Sequence, residues 1–184
     1  MSNALLYAIT VLVWGSTWLA IEFQLGVVEP EVSIVYRYAG AALLLFGWSR
    51  IRRLPLAFSL RQHGRFFLLG MLLFSLNYIL AYRAQIYISS ALTAIAFSTL
   101  VWMNIINARL FFGVRAGRRV LIGALLGVAG IITLFAPQIG ELTLSDSVFY
   151  GAMLAFLGAL IASFGNMVSQ AAQKTRLPVV QSNA

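Results

Sequence analysis

Apolar residues run on for the length of a bilayer crossing at six places along the chain, and charge marks the boundaries. Residues 1–21 carry no charge, 66–82 lie between Arg65 and Arg83, and 84–108 lie between Arg83 and Arg109. Two further runs, 120–140 and 147–173, are bounded by Arg119 and Glu141 and by Asp146 and Lys174. The remaining run, about 32–49, is broken only by Arg37. A transmembrane helix needs about 20 largely apolar residues, so each run predicts one span. Pro30, Pro55, Pro137 and Pro178 sit at or beyond the run ends, where a missing N–H does least harm to a helix. No Lys or Arg precedes the first run, which continues to about Leu25, so it reads as a span rather than a secretory signal. The pattern predicts an all-α membrane protein with six transmembrane helices.

Composition sharpens this reading. Charged residues make up 10% of the 184-residue chain and hydrophobic residues 61%, whereas a soluble domain carries about 25% charged. So few charges cannot cover a soluble surface of this size; the lipid bilayer is the partner of most of it. The net charge of +8 comes in short arginine clusters between apolar runs, which argues for topology signals and against nucleic-acid binding. Basic residues alternate between loops. The second loop holds Arg50, Arg52, Arg53, Arg61 and Arg65, the fourth Arg109, Arg115, Arg118 and Arg119, and the tail Lys174 and Arg176. On the opposite side the first loop carries Glu22, Glu29 and Glu31, the third Arg83 alone, and the fifth Glu141 and Asp146. The positive-inside rule then predicts a plasma (bacterial inner) membrane protein with both ends cytoplasmic.

Packing and site candidates follow from the small and polar residues inside the spans. Gly151, Ala155, Gly158, Ala162 and Gly165 recur at steps of four and three, and Gly123, Gly127 and Gly130 form a similar stripe in the fifth span. Both predict helices buried against protein. Polar groups within hydrocarbon need a partner or a watery cavity. On the first helix Tyr7, Trp14, Trp18 and Glu22 share a side, with Ser16 and Thr17 near mid-membrane; on the third, Ser75, Tyr78 and Tyr82 share a face beside Asn77; on the fourth, Tyr87, Ala94, Ser98 and Trp102 form a stripe, with Asn104 deeper. The substrate-cavity candidates are Trp14, Ser16, Thr17, Arg37, Asn77, Tyr78 and Trp102. Trp14 and Trp102 lie too deep for an interfacial belt, leaving cavity lining or helix packing. Arg37 is the single charge well inside a span. It has three readings: an ion pair with Glu22 at similar depth, snorkelling to the interface, or a hold on a substrate carboxylate.

Enzymatic chemistry has no footing here. With no cysteine, one histidine, His63, and no Asp, Glu or His at mid-membrane, there is no acid/base pair, metal set or catalytic triad. No enzyme activity, metal or cofactor is expected.

The string VLVWGSTWLAIEFQLG at 11–26 followed by VSIVYRYAGAALLL at 32–45 resembles the drug/metabolite transporter superfamily, EamA type. ALTAIAFSTLVWMNIINARLFFG at 91–113 and RRVLIGALLGVAGIITLF at 118–135 resemble that family's fourth and glycine-rich fifth helices. Val101 and Val114 stand where members often have a proline and a glutamate. The resemblance implies two inverted five-helix repeats with a small-molecule site between them. Residues 1–136 would form one repeat and 137–184 the start of a second, with its first helix at 148–170 and a cytoplasmic tail. FGN at 164–166 echoes WGS at 14–16 across that repeat. The implied function is transport of small metabolites, amino acids or amphipathic compounds among them, by the N-terminal part of a longer protein. The alternative is a non-transporting membrane fragment or assembly subunit. In either case the chain is expected to need a second half or to form a homodimer through 151–165.

Overall fold

The computed structural model describes residues 2–26, 28–140, 145–175 and 177–183. Glu141 and Arg176, two of the loop charges that set the expected orientation, lie outside them. Among the described residues no strand forms, and six long helices follow one another: α1 (Asn3–Glu22), α2 (Pro30–Ile51), α3 (Leu60–Ala84), α4 (Ser90–Phe112), α5 (Arg118–Leu134) and α6 (Asp146–Lys174). All but α5 are long and apolar enough to cross a bilayer unaided. Helix α5 has 17 residues, the short end of the spanning range, and a helical turn, Ala136–Gly140, follows it.

Local signals place the boundaries. Ser2, Ser59, Ser89 and Ser145 occupy N-caps, their hydroxyls accepting from the N–H of Leu5, Gln62, Leu92 and Val148. At Ser59 the cap is reciprocal, because its own N–H donates to Gln62 Oε1 at 2.7 Å. That box starts α3 at Leu60, so Arg61 and Arg65 ride on its first turns and the helix is longer than the charge-free run. Helix α3 also continues through Arg83, and the Ser89 cap delays α4 to Ser90. Pro30 opens α2, and Gly113 ends α4 with φ 68°, its N–H donating to Arg109 O at 3.1 Å.

Two helices are irregular. Residues Gly70–Leu76 of α3 form a π-helical stretch, a feature frequent at functional sites. Helix α4 is interrupted at Thr99, where Ser98 Oγ and Thr99 Oγ1 donate to the carbonyls of Ile95 and Ala96, both at 2.6 Å. Hydroxyls bonded back to the preceding turn bend helices, so α4 is interrupted without a proline in it.

Helix α6 is the packing axis, and it is the most buried of the spanning helices. It lies against α3 and α4 along its small-residue stripe. A Cβ on Gly151 would sit 2.8 Å from Tyr87 Cβ, one on Gly158 3.1 Å from Asn77 O, and one on Gly165 2.6 Å from Leu73 Cγ. Asn107 Nδ2 donates to Ser163 Oγ at 2.8 Å, both residues buried, and Asn166 Nδ2 donates to Asn104 Oδ1 at 3.2 Å. Such interhelical bonds contribute on average about 0.6 kcal/mol each in lipid.

The fold therefore corrects two expectations. The stripe 151–165 is already filled by the chain's own α3 and α4 and is not a free dimer face. The α5 stripe is the reverse: nothing lies within 4 Å of a Cβ on Gly123, Gly127 or Gly130, and only Ala124 is buried on that helix. Helix α5 touches the first half of α4 instead.

The bundle has two chemically different ends. At one, Arg83 donates from Nε and Nη2 to Glu31 Oε1 at 2.9 and 2.6 Å, and Tyr82 OH donates to Gln24 Oε1 at 2.9 Å. At the arginine-rich end Arg65 Nη1 donates to Thr175 Oγ1 at 3.2 Å, and Lys174 Nζ lies 4.0 Å from the Phe112 ring centre. Of the three readings of Arg37, the pair with Glu22 does not form; the ion pair among the described residues is Arg83–Glu31. Equal depth sets only a level, and the rings of Tyr38 and Tyr78 are what Arg37 meets, its guanidinium carbon 5.6 and 5.1 Å from their centres.

Two outcomes follow. Gly151→Ala should destabilise the chain by about 1–3 kcal/mol through overpacking, whereas Gly127→Ala should be neutral or slightly stabilising; thermal unfolding in detergent separates them. In double-mutant cycles, Arg37→Ala and Glu22→Ala should be additive, while Arg37→Ala and Tyr78→Leu should couple by about 0.5–1 kcal/mol. Coupling to Glu22 instead would restore the ion pair.

Candidate functional site

The same packing leaves a cavity of about 250 Å³ where α1, α3, α4 and α6 converge. Helix α1 lines it with Trp14, Thr17, Trp18 and Ile21, spaced three and four apart so that they share a face. Helix α3 contributes Phe74, Tyr78 and Asn77 from its π-helical stretch onward, α4 contributes Phe97, and α6 contributes Ala162 and Asn166. Small residues on α6 bring that helix close, and large aromatic residues on the facing helices hold the remaining space open. Trp18 and Phe97 meet edge-on with ring centres 4.9 Å apart. Towards the Glu31 end, a cluster of Ile21, Ile34 and Tyr82 closes over Tyr78 and Trp18.

The polar groups of the lining differ in their bonding. Asn166 is tied to Asn104. Asn77 is 6% exposed, and its Oδ1 accepts no hydrogen bond. A buried acceptor left without a donor costs about 1–3 kcal/mol, so Asn77 is one of the places where the fold gives up stability. Ser49 Oγ and the Gln85 amide are also buried without partners, but neither lines this cavity. Among the described residues the lining holds no carboxylate, imidazole, ammonium or guanidinium.

A second, more open hollow of about 580 Å³ lies between α1 and α2, bordered by Gln24, Ser33, Tyr36 and Arg37. It shares Thr17 and Ile21 with the first cavity, and Arg37 rests on Tyr78, so the two adjoin.

Of the seven residues singled out in the sequence, Trp14, Thr17, Asn77 and Tyr78 meet around the first cavity. Arg37 borders the second. Ser16 lies off both, its hydroxyl donating to Val13 O at 3.1 Å, and Trp102 is half-buried on α4 outside the lining. Trp18, Phe74, Phe97 and Asn166 line the cavity without having been singled out as site residues. Their signal was periodicity: Trp18 follows Trp14, Tyr78 follows Phe74 and Asn166 follows Ala162, each by four residues. Phe97, among apolar neighbours, carries no such mark.

The chain matches the EamA-like transporter family over residues 1–136, which spans α1 to α5. It is 27% identical over 136 residues to Protein PagO of Salmonella typhimurium, a match covering 70% of this chain and 44% of that protein. It is 23% identical over 158 residues to an uncharacterized transporter of Buchnera aphidicola subsp. Schizaphis graminum, covering 86% and 52%. No solved structure matches. The chain thus spans about half the length of these curated relatives. With apolar helices of spanning length and a family match over 1–136, this multi-pass membrane protein is a member of the EamA-like transporter family.

Proposed function

We propose that the chain carries small metabolites across a bacterial inner membrane, with the substrate held in the cavity among α1, α3, α4 and α6. The observation that carries this reading is the aromatic hollow lined by Trp14, Trp18, Tyr78 and Asn77, with the Asn77 Oδ1 buried beside it and accepting no hydrogen bond. A fold that leaves an acceptor without a donor at such a place has put binding ahead of stability. Arg37, at the adjoining hollow, is then an approach residue that meets the substrate before the cavity does. The arginine-rich end faces the cytoplasm, following the retention of basic loops on that side.

Transport on this reading requires a second half. Alternating access rocks two halves around a shared site, and the match covers only 44% and 52% of the curated relatives. Helix α1 supplies four residues to the lining yet buries only Ile21, so it has room for further protein against it. The second half is either a further five-helix unit or another copy of this chain. The rival reading, a membrane subunit with no transport of its own, differs in having no activity even when that half is supplied.

The test of function is uptake of a labelled metabolite panel into vesicles containing the chain, with its mass measured in nanodiscs. Asn77→Leu and Trp14→Leu should each lower saturable uptake at least about tenfold, in keeping with loss of a positioned contact, while Trp48→Leu at the arginine-rich end should leave it unchanged. Asn77→Leu should also raise thermal stability, because it removes an unsatisfied buried group. Saturable transport by a verified monomer would overturn the need for a second half. Orientation is tested separately in this cysteine-free chain: Val28→Cys should react with an impermeant thiol reagent added to intact cells and Arg53→Cys should not. The reverse pattern would invert the topology.

A further inference from the structure

Helices α4 and α5 are joined by a short linker, residues 113–117, and short connections make antiparallel neighbours. The pair nevertheless closes at its far end. Helix α5 packs chiefly against the first half of α4, Ser90–Ser98, and beside the linker the two helices leave a groove of about 340 Å³. Its apolar walls are Ile105, Ile106 and Leu110 from α4 and Leu121 from α5. Arg109, in the last turn of α4, and Arg115, in the linker, border it.

Positive charge is concentrated at the linker end. Arg118 and Arg119 follow Arg115 on the first turn of α5. Arg109 Nη1 donates to Gly113 O at 3.0 Å, which holds that guanidinium over the linker. Among the described residues none of these arginines is in an ion pair. The described acidic residues, Glu22, Glu29, Glu31 and Asp146, all lie at the opposite end of the bundle. Like charges so placed repel one another, and an anion brought to them relieves the repulsion.

Depth in the bilayer decides which anion fits. The last turn of a spanning helix lies at the level of the headgroups and the turns before it among the acyl chains. The groove therefore offers apolar side chains at acyl depth and guanidinium groups, which match phosphate geometry, at phosphate depth. We propose that it binds an anionic phospholipid of the surrounding bilayer, with one acyl chain along Ile105, Ile106 and Leu110 and the phosphodiester held by Arg109 and Arg115. Basic pockets between transmembrane helices bind such headgroups. A free phosphate would engage the arginines and leave the apolar walls without a part. A second copy inserted the same way up would bring its own arginines to this level. The lipid also supplies packing to α5, on which only Ala124 is buried.

Native mass spectrometry of the full chain in detergent, with phosphatidylglycerol or phosphatidylcholine of identical acyl chains, reads bound lipid and oligomeric state together. Phosphatidylglycerol should be retained at the lower concentration, by about fivefold for each arginine engaged. Arg109→Gln with Arg115→Gln should remove that preference. Arg52→Gln with Arg53→Gln, an equal loss of charge at the same end but off the groove, should keep it. Leu110→Asn, at an exposed position, should weaken retention with the arginines in place. Arg115→Gln alone should lose about fivefold and serves if the double variant fails to fold.

Equal retention of the two lipids, or a preference that both double variants reduce alike, would overturn the site and leave only a general attraction of the basic end for anionic surfaces. Displacement of phosphatidylglycerol by excess inorganic phosphate, with Leu110→Asn without effect, would replace the lipid by a simple anion. A dimer that excludes the lipid and is broken by Leu110→Asn would make the groove a protein contact and overturn the proposal as well.

Discussion

Helices in lipid gain little from hiding apolar surface, because the solvent is as apolar as the partner. Close approach and interhelical hydrogen bonding must supply the cohesion, and in this chain both are concentrated on α6. Gly151, Gly158 and Gly165 bring its backbone to where a Cβ would collide with α3 or the turn after it, and Asn107–Ser163 and Asn104–Asn166 tie it to α4. Helices α1, α2 and α5 are attached to that three-helix centre more loosely, as their exposed faces record.

The cavity is a consequence of how that close contact ends. Along α6 the small stripe runs from Gly151 through Ala162 to Gly165, and Asn166 follows on the side of the hollow. Opposite, α3 changes from α to π geometry over Gly70–Leu76, which alters the phase of Phe74, Asn77 and Tyr78 relative to a regular helix. Asn77 is the hinge of this arrangement. Its carbonyl oxygen touches the Gly158 contact, where packing is tightest, and the residue also lines the space, where packing stops. One residue thus belongs to both the cohesion of the fold and the candidate site.

The sequence made some of this legible and left the rest hidden for physical reasons. Length and charge punctuation show six helices because hydrocarbon tolerates few alternatives. The α6 stripe was legible through its spacing, but the same signature on α5 did not mark a packed face: spacing shows that a helix face is smooth, not what lies against it. Trp14, Thr17, Asn77 and Tyr78 stood out because polar and indole groups are costly or unusual deep in a span. Phe74 and Phe97 did not, since a phenylalanine facing a cavity and one facing lipid read alike. The π-helical stretch carries no proline or other plain sequence mark.

Arg37 shows why depth alone misleads. Counting residues from the span end put it level with Glu22, but a helix fixes azimuth as well as level, and the side chain of Arg37 turns towards α3, where Tyr78 supplies a ring face. The acidic residue nearest in sequence that does form an ion pair, Glu31, takes Arg83 instead, the lone basic residue of the opposite loops. With Glu31 committed to Arg83 and no acid paired to Arg37 among the described residues, the hollow between α1 and α2 keeps a net positive charge beside a cavity that no charged side chain lines, so the one charge placed inside a span is satisfied by aromatic ring faces and by the open hollow rather than by an ion pair.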